Sequence, residues 1–268
     1  MSEDGLRVGI IEDHPIVSEA LEKRLGDAGF KVTISVGAVE ELDPDALPEM
    51  VVCDLNLLEG GLQAGQAIAY LVGRGVRVLA MSGVARKAEV LDAVASGAAG
   101  FVEKTAPPAE FVAAVLGVAN GGMYISARLA TYLLDDAEKR PLSRDEIGAR
   151  ERALLHALAT GDTVEEFMEE HQLTAVEVRR RLNSIFATAR KRRRLHRPSP
   201  REAELLVLLG CEGLSHKAAA ARMGVKPSVI PDFQKEIKAK YLATHPDADE
   251  NIAPKTVAQL WARELGLC

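Results

Sequence analysis

Five positions in this chain carry side chains suited to polar chemistry: the acidic pair Glu12-Asp13, then Asp54, Ser82 and Lys104. Each follows closely on a short run rich in Val, Ile and Leu, with Leu6, Val8, Ile10 and Ile11 before the first pair and comparable runs before the others. Three carboxylates drawn into one place repel each other unless a cation sits among them. Oxygen-only ligands in small number, with room left for water and a phosphoryl oxygen, suit Mg2+ better than zinc. With charge neutralised in this way, one carboxylate can attack phosphorus and form an acyl phosphate. A lysine would then supply a point charge to the transferred group, and a serine hydroxyl a hydrogen bond.

Such a gathering needs a scaffold that brings distant loops to one edge. The apolar runs predict strands at 6–11, 31–36, 50–53, 76–81 and 100–102, and helical periodicity separates them near 65–73, 86–96 and 107–120. In the first helix Ile16, Ala20, Leu21 and Leu25 recur at helical spacing until the breaker 26–29. Strand and helix in alternation predict an α/β domain with a doubly wound parallel sheet. Ligands in that architecture bind outside the carboxyl ends of the strands, at the switch point of a flavodoxin-like strand order.

The composition fits more than one domain, since 268 residues exceed a typical single core. Residues 1–140 hold 12 Lys and Arg against 21 Asp and Glu, whereas residues 141–268 hold 21 against 18, so the second half is the better match for a polyanion. Cys53, Cys211 and Cys268 are too few and scattered for a disulfide framework or a zinc site, and reduced thiols are expected. Neither a basic leader with an apolar stretch nor a run of about 20 apolar residues is present, which predicts a cytoplasmic protein outside the membrane.

The motifs of residues 5–125 resemble the receiver domain of bacterial two-component response regulators. The resemblance rests on Glu12-Asp13, on Val51-Val52-Cys53-Asp54-Leu55, on Met81-Ser82-Gly83, and on the stretch from Gly97 to Lys104. It implies that Asp54 is the phosphoacceptor and that Glu12, Asp13 and Asp54, with the backbone carbonyl of Asn56, bind Mg2+. It also implies that Ser82 and Lys104 act on the phosphoryl group, that Phe101 is the aromatic switch, and that a sensor histidine kinase is the partner. Taken singly, these residues have ordinary roles as caps, loop hydroxyls, core or solvated charge; their joint placement at strand ends argues for the site. The stretch 57–65 departs from the family in lacking the usual proline after the phosphoacceptor and in being longer.

Residues 126–145 read as a linker, with Pro141 and a polar patch from Asp135 to Arg140. An all-α output region follows. Leu154, Leu155 and Leu158 keep helical spacing, Val164, Phe167 and Met168 form a second apolar face, and Thr174 with Glu177 opens a third helix as a capping box. This resembles the LuxR-type helix-turn-helix of NarL/FixJ-class regulators, over residues 146–195. The resemblance implies DNA as a partner and places Arg179, Arg180 and Arg181 on the face that meets bases and phosphates.

Glu165, Glu166, Glu169 and Glu170 on the preceding helix would repel phosphates, so that face either points away from a duplex or meets a protein. The run Arg190 to Arg194 reads as a solvated linker or a nonspecific phosphate binder. Residues 196–268 echo the helix-turn-helix pattern, although Pro231 falls one to two turns into the third helix, which predicts a shorter, shifted element and argues against base reading. Val257, Leu260, Trp261 and Leu265 mark a final amphipathic helix, covering this unit or forming a dimer seam.

The reading that follows is a phosphorylation-controlled, DNA-binding transcriptional regulator, not an enzyme acting on a separate substrate. The alternative is a protein-interaction switch on a sigma factor or RNA polymerase without sequence-specific DNA reading.

Overall fold

The computed structural model describes residues 6–57, 64–84, 86–139, 147–196, 198–245 and 248–268. The chain divides into two compact units, the first Met1–Glu138 with Ser143–Lys191, the second Lys139–Leu142 with Arg192–Cys268. The first unit holds a six-stranded sheet in the order β2-β1-β3-β4-β5-β6, every neighbouring pair parallel. Its strands are β1 (Arg7–Ile11), β2 (Lys31–Val36), β3 (Met50–Asp54), β4 (Arg77–Ser82), β5 (Gly100–Glu103) and β6 (Tyr124–Ile125). The central strand β3 is buried along its whole length, as a parallel strand covered by helices on both faces must be.

Helices α1 (Pro15–Asp27), α2 (Ala64–Gly73), α3 (Lys87–Ser96) and α4 (Pro108–Ala119) alternate with the strands, as the periodicity predicts. Between β2 and β3 the crossover is reduced to a short 3-10 turn at Val39–Glu41. The first expected helical face is narrower than the spacing suggests: Leu21 and Leu25 are buried, whereas Ile16 is 84% exposed. The stretch 57–65, whose length departs from the family, lies largely outside the described residues.

The expected linker at 126–145 is instead largely structure. Strand β6 joins the sheet edge, and α5 (Ala127–Lys139) buries Leu129, Ala130, Leu133 and Leu134 in the same core as Phe101. The polar patch that suggested a linker is the outer end of this helix, and its Asp135 pairs with Lys87 at the start of α3. Leu154, Leu155, Leu158, Phe167, Val178, Leu182, Ile185 and Phe186 join that core as well. The first three output helices, α6 (Ala149–Thr160), α7 (Val164–Glu170) and α8 (Ala175–His196), thus pack as part of the receiver's unit and not as a detached domain. The expected boundary near 145 dissolves because apolar burial runs across it.

The second unit contains α9 (Pro200–Leu206), a π-helical turn at Val207–Cys211, α10 (His216–Met223), a 3-10 turn at Pro227–Val229, α11 (Ile230–Thr244) and α12 (Pro254–Glu264). Leu205, Leu206, Leu208, Ile230, Ile237, Tyr241, Val257 and Trp261 form its separate core. Gly210 is required where the π turn meets α12, because a Cβ there would lie 2.4 Å from the carbonyl oxygen of Ala258. Trp261 is core as expected, but Leu260 remains 45% exposed.

Two expectations fail in this unit. Cys211 and Cys268 form a disulfide, with Cα atoms 5.5 Å apart across a sequence separation of 57, so only Cys53 is a free thiol. Wide separation in sequence disguised the pair; the fold brings the chain end back onto the π turn. The third helix has the shifted start that Pro231 predicted, beginning at Ile230 behind Val229 with the proline in its first turn, but at 15 residues it is not short. A proline in the first turn lacks only an N–H that has no intrahelical acceptor.

Candidate phosphoacceptor site and output surface

The carboxyl ends of β1, β3, β4 and β5 deliver Glu12 and Asp13, Asp54, Ser82 and Lys104 to one pocket. Lys104 Nζ donates to Asp54 Oδ2 at 2.9 Å and lies 2.5 Å from Glu12 Oε2. One ligand atom from each of Glu12, Asp13, His14 and Asp54 falls within 4.8 Å of the others. Glu12 and Asp54 are buried, and Asp54 Oδ1 has no protein hydrogen-bond partner. Burial drives the Asp54 carboxyl above its usual range, partly offset by the Lys104 ammonium and by the backbone N–H of Asn56. For Lys104, burial alone would lower the value, but Glu12 and Asp54 together outweigh it and raise it.

Ser82 is buried at the end of β4. Its Oγ accepts from the Asn56 side-chain amide at 2.7 Å and from the Val84 backbone N–H at 3.3 Å. With both acceptor sites occupied, the hydroxyl proton is left to donate, as bonding to an anionic oxygen requires. Asn56 itself sits at the exposed mouth of the pocket. Phe101 is fully buried among the residues that join the sheet to α3 and α5.

Sequence reasoning missed His14. Its Nδ1 lies 2.9 Å from Glu12 Oε1 and 2.8 Å from Asp13 Oδ1, and these carboxylates raise its pKa. The adjacency Glu12-Asp13-His14 was the available signal. Three carboxylates against one ammonium leave the pocket short of positive charge, and the buried unpartnered oxygen of Asp54 points to an oxygen-seeking ion. The donor set therefore fits a hard divalent cation.

On the output side, Thr174 and Glu177 cap α8 reciprocally, the Thr174 N–H donating to Glu177 Oε2 at 2.9 Å and Glu177 N–H to Thr174 Oγ1 at 3.3 Å. Arg179 and Arg180 are exposed, whereas Arg181 is buried at 7% exposure and does not share their face. On α7, Phe167 is buried while Glu165, Glu166, Glu169 and Glu170 face solvent. Thr163 and Glu166 close the start of α7 as a capping box.

The basic run beginning at Arg190 is not a linker but the continuation of α8. Arg190 donates from Nε to the Val94 carbonyl at 3.2 Å, and from Nη2 to the carbonyls of Gly97 and Ala98 at 3.1 and 3.2 Å. These acceptors lie at the C-terminal end of α3, where unsatisfied carbonyls and the helix dipole favour a cation. The helix that follows Ser82 is thus tied directly to α8. Arg192 is also buried, and the side chains of Arg193 and Arg194 lie outside the described residues.

Residues 8–116 match the family model for the response regulator receiver domain. The transcriptional regulatory protein UhpA of Escherichia coli (strain K12) is 28% identical over 169 residues, covering 62% of this chain and 82% of UhpA. The DNA-binding transcriptional activator DevR/DosR of Mycobacterium tuberculosis (strain ATCC 25618 / H37Rv) is 26% identical over 197 residues, 70% of this chain and 90% of that protein. A solved LuxR-family two-component response regulator from Aurantimonas sp. SI85-9A1 is 26% identical, with a TM-score of 0.46, covering 50% of this chain and 99% of that one.

Parallel sheet, acidic pocket and family match together define a receiver domain. Residues 8–116 thus form a response regulator receiver domain, and the helical region that follows is similar in part to that of transcriptional regulatory proteins. No described helix is long and apolar enough to cross a membrane.

Proposed function

We propose that the protein is a phosphorylation-controlled, DNA-binding transcriptional regulator, phosphorylated at Asp54 by a sensor histidine kinase. The observation that carries this reading is the pocket itself: a buried aspartate with one oxygen held by Lys104 and the other without a protein partner. In the transfer, an Asp54 carboxylate oxygen bonds to phosphorus as the phosphorus–nitrogen bond of a histidine phosphate breaks, and the electron pair leaves with the imidazole. Lys104 balances charge on the phosphoryl oxygens, and Ser82 donates its hydroxyl proton to one of them. Glu12, Asp13, Asp54 and the Asn56 carbonyl would hold Mg2+, which supplies charge neutralisation for the attacking and transferred oxygens.

The path from site to output runs through α3. A shift of Ser82 toward a phosphoryl oxygen moves the start of the segment that leads into α3, whose far end Arg190 grips. Such a coupling alters α8 without any change in its sequence-reading side chains. Arg179 and Arg180 are the proposed base- and phosphate-contacting pair on α8; Arg181, expected to join them, is buried and is left out of that surface. The names of the relatives, transcriptional regulators and a DNA-binding activator, favour DNA over a purely protein partner. We place the protein in the cytoplasm, where a sensor kinase domain can reach it.

The test is a DNA mobility shift with and without acetyl phosphate and Mg2+. Phosphorylation should change duplex affinity for wild type and leave Asp54→Asn unchanged. Equal response in both would remove Asp54 from the account.

A further inference from the structure

Neither phosphorylation nor DNA reading makes use of the disulfide in the second unit. Cys211 closes the π-helical turn Val207–Cys211, and Cys268 lies in the segment that follows α12. Both residues are exposed, whereas Cys53 is buried in the receiver core. An incoming thiolate can therefore reach this bond without any opening of the fold, and exposed disulfides are the labile, regulatory kind. The cytoplasm, where we place the protein, is reducing; disulfides that form there are as a rule transient, and serve in catalysis or redox sensing.

The second unit does not need this bond to seat its last helix. Helix α12 buries Val257, Ala258, Trp261 and Ala262 in the unit's own core, and Trp261 meets Tyr241 edge-on with ring centroids 5.7 Å apart. Beyond Glu264 the hold is weaker. Gly266, with a φ of 64°, turns the chain back, the Leu267 N–H donates to the Ala262 carbonyl at 2.8 Å, and Leu265 and Leu267 are only partly buried. The π turn on the other side of the bond is also an irregular piece of helix. Its i→i+5 pattern, with the Glu212 N–H on the Val207 carbonyl at 3.0 Å, is a rare one that clusters at functional sites. Opening the disulfide thus loosens the π turn and residues 265–268 and leaves α12 in place.

We infer that Cys211 and Cys268 form a redox switch: as a disulfide they pin the segment after α12 to the π turn, and as a dithiol they release both. Reduction is a thiol–disulfide exchange with a dithiol protein or with glutathione. The reductant's thiolate bonds to one sulfur, the bond between Cys211 and Cys268 breaks, and the other sulfur leaves with the electron pair and takes up a proton. A second reductant thiolate then displaces the first cysteine from the mixed disulfide, so the reductant ends as a disulfide and the protein as two thiols. Oxidised glutathione runs the exchange in reverse. This input is separate from phosphorylation at Asp54, and its effect on a duplex rests on the reading of the protein as a DNA-binding regulator.

The test equilibrates the full chain in glutathione mixtures that run from almost fully oxidised to almost fully reduced, quenches in acid, unfolds and alkylates, and counts free thiols by intact mass. The count should rise from one, Cys53, to three within the series. A count fixed at one even in the most reducing mixture makes the bond a permanent brace, and a count of three in the most oxidising one denies the bond; either overturns the inference. The reduced protein should keep its helical circular dichroism while amide exchange speeds up most at residues 207–212 and 262–268, and loss of the helical signal on reduction overturns the switch. With acetyl phosphate and Mg2+ present throughout, affinity for a duplex enriched from a random pool should differ by about fivefold or more between oxidised and reduced wild type. Cys268→Ser should match the reduced form in both mixtures. Equal affinity of the two wild-type forms overturns the switch and leaves the regulator reading intact. Absence of duplex binding in either form overturns that reading, while the thiol count and the exchange pattern still decide the fate of the switch.

Discussion

Removing the Arg190 guanidinium tests the tie between receiver and output most severely. Arg190 makes three hydrogen bonds to the Val94, Gly97 and Ala98 carbonyls from more than 90 residues away in sequence. Bonds from a charged donor contribute about 1.5–3 kcal/mol each where the partners are buried. The guanidinium is only partly buried, and water can replace it on the carbonyls, so the sum is discounted to about 3 kcal/mol for Arg190→Ala. For a unit of this size that corresponds to a fall of about 6–12 °C in the midpoint of its thermal transition. Arg190→Lys keeps the charge but loses the planar fork and should fall between the two. Differential scanning calorimetry gives the midpoint, and amide exchange over residues 90–100 and 175–190 should accelerate together. An unchanged midpoint, or faster exchange confined to one of the segments, would refute the idea that this arginine joins α8 to α3.

Other consequences follow from the buried groups. Because Asp54 has a carboxyl raised in the folded state, its protonated form favours folding below the unfolded pKa and that contribution is lost as pH rises through the folded pKa. Asp54→Asn should therefore stabilise the metal-free protein at neutral pH and make no difference in acid, measured by urea unfolding at both. Adding Mg2+ at ten times its Kd should stabilise wild type by about 1.4 kcal/mol and Asp54→Asn by less. Reducing Cys211–Cys268 frees a loop of 57 residues and should lower the stability of the second unit by up to about 4 kcal/mol, read as a lower urea midpoint for Cys268→Ser. Burial pushes the Cys53 thiol up to about 12, so at pH 8 it should resist a thiol reagent in the native protein and react once unfolded.

Much of the receiver was legible because its signals are local. Each of β1, β3, β4 and β5 is an apolar run with a polar residue at its carboxyl end or just beyond it, and that is where the fold places its chemistry. Glu12, Asp13 and Asp54 each place a ligand atom within 4.8 Å of the others and Lys104 bonds Asp54, a gathering that strand order alone brings about. His14 escaped notice because its role depends on side-chain reach, not on position at a strand end.

What stayed hidden was long-range. The helix α5 looked like a linker because its outer end is charged, while the burial of Leu129 and Leu133 depends on partners far away in sequence. Arg190 looked like one residue of a basic run until its carbonyl acceptors on α3 were placed beside it. The disulfide required two cysteines to return to one point, which spacing does not encode. Pro231 marked the shifted start of α11 correctly but said nothing of where the helix ends, which burial of Ile237 and Tyr241 decides.

The central claim is that Asp54 is the nucleophile of this pocket. Intact-mass spectrometry after incubation with acetyl phosphate and Mg2+ measures it directly. The account predicts one phosphoryl adduct on wild type, lost on treatment with hydroxylamine and absent from Asp54→Asn. An adduct of equal yield on Asp54→Asn, or none on wild type with any small phosphodonor or kinase, contradicts it.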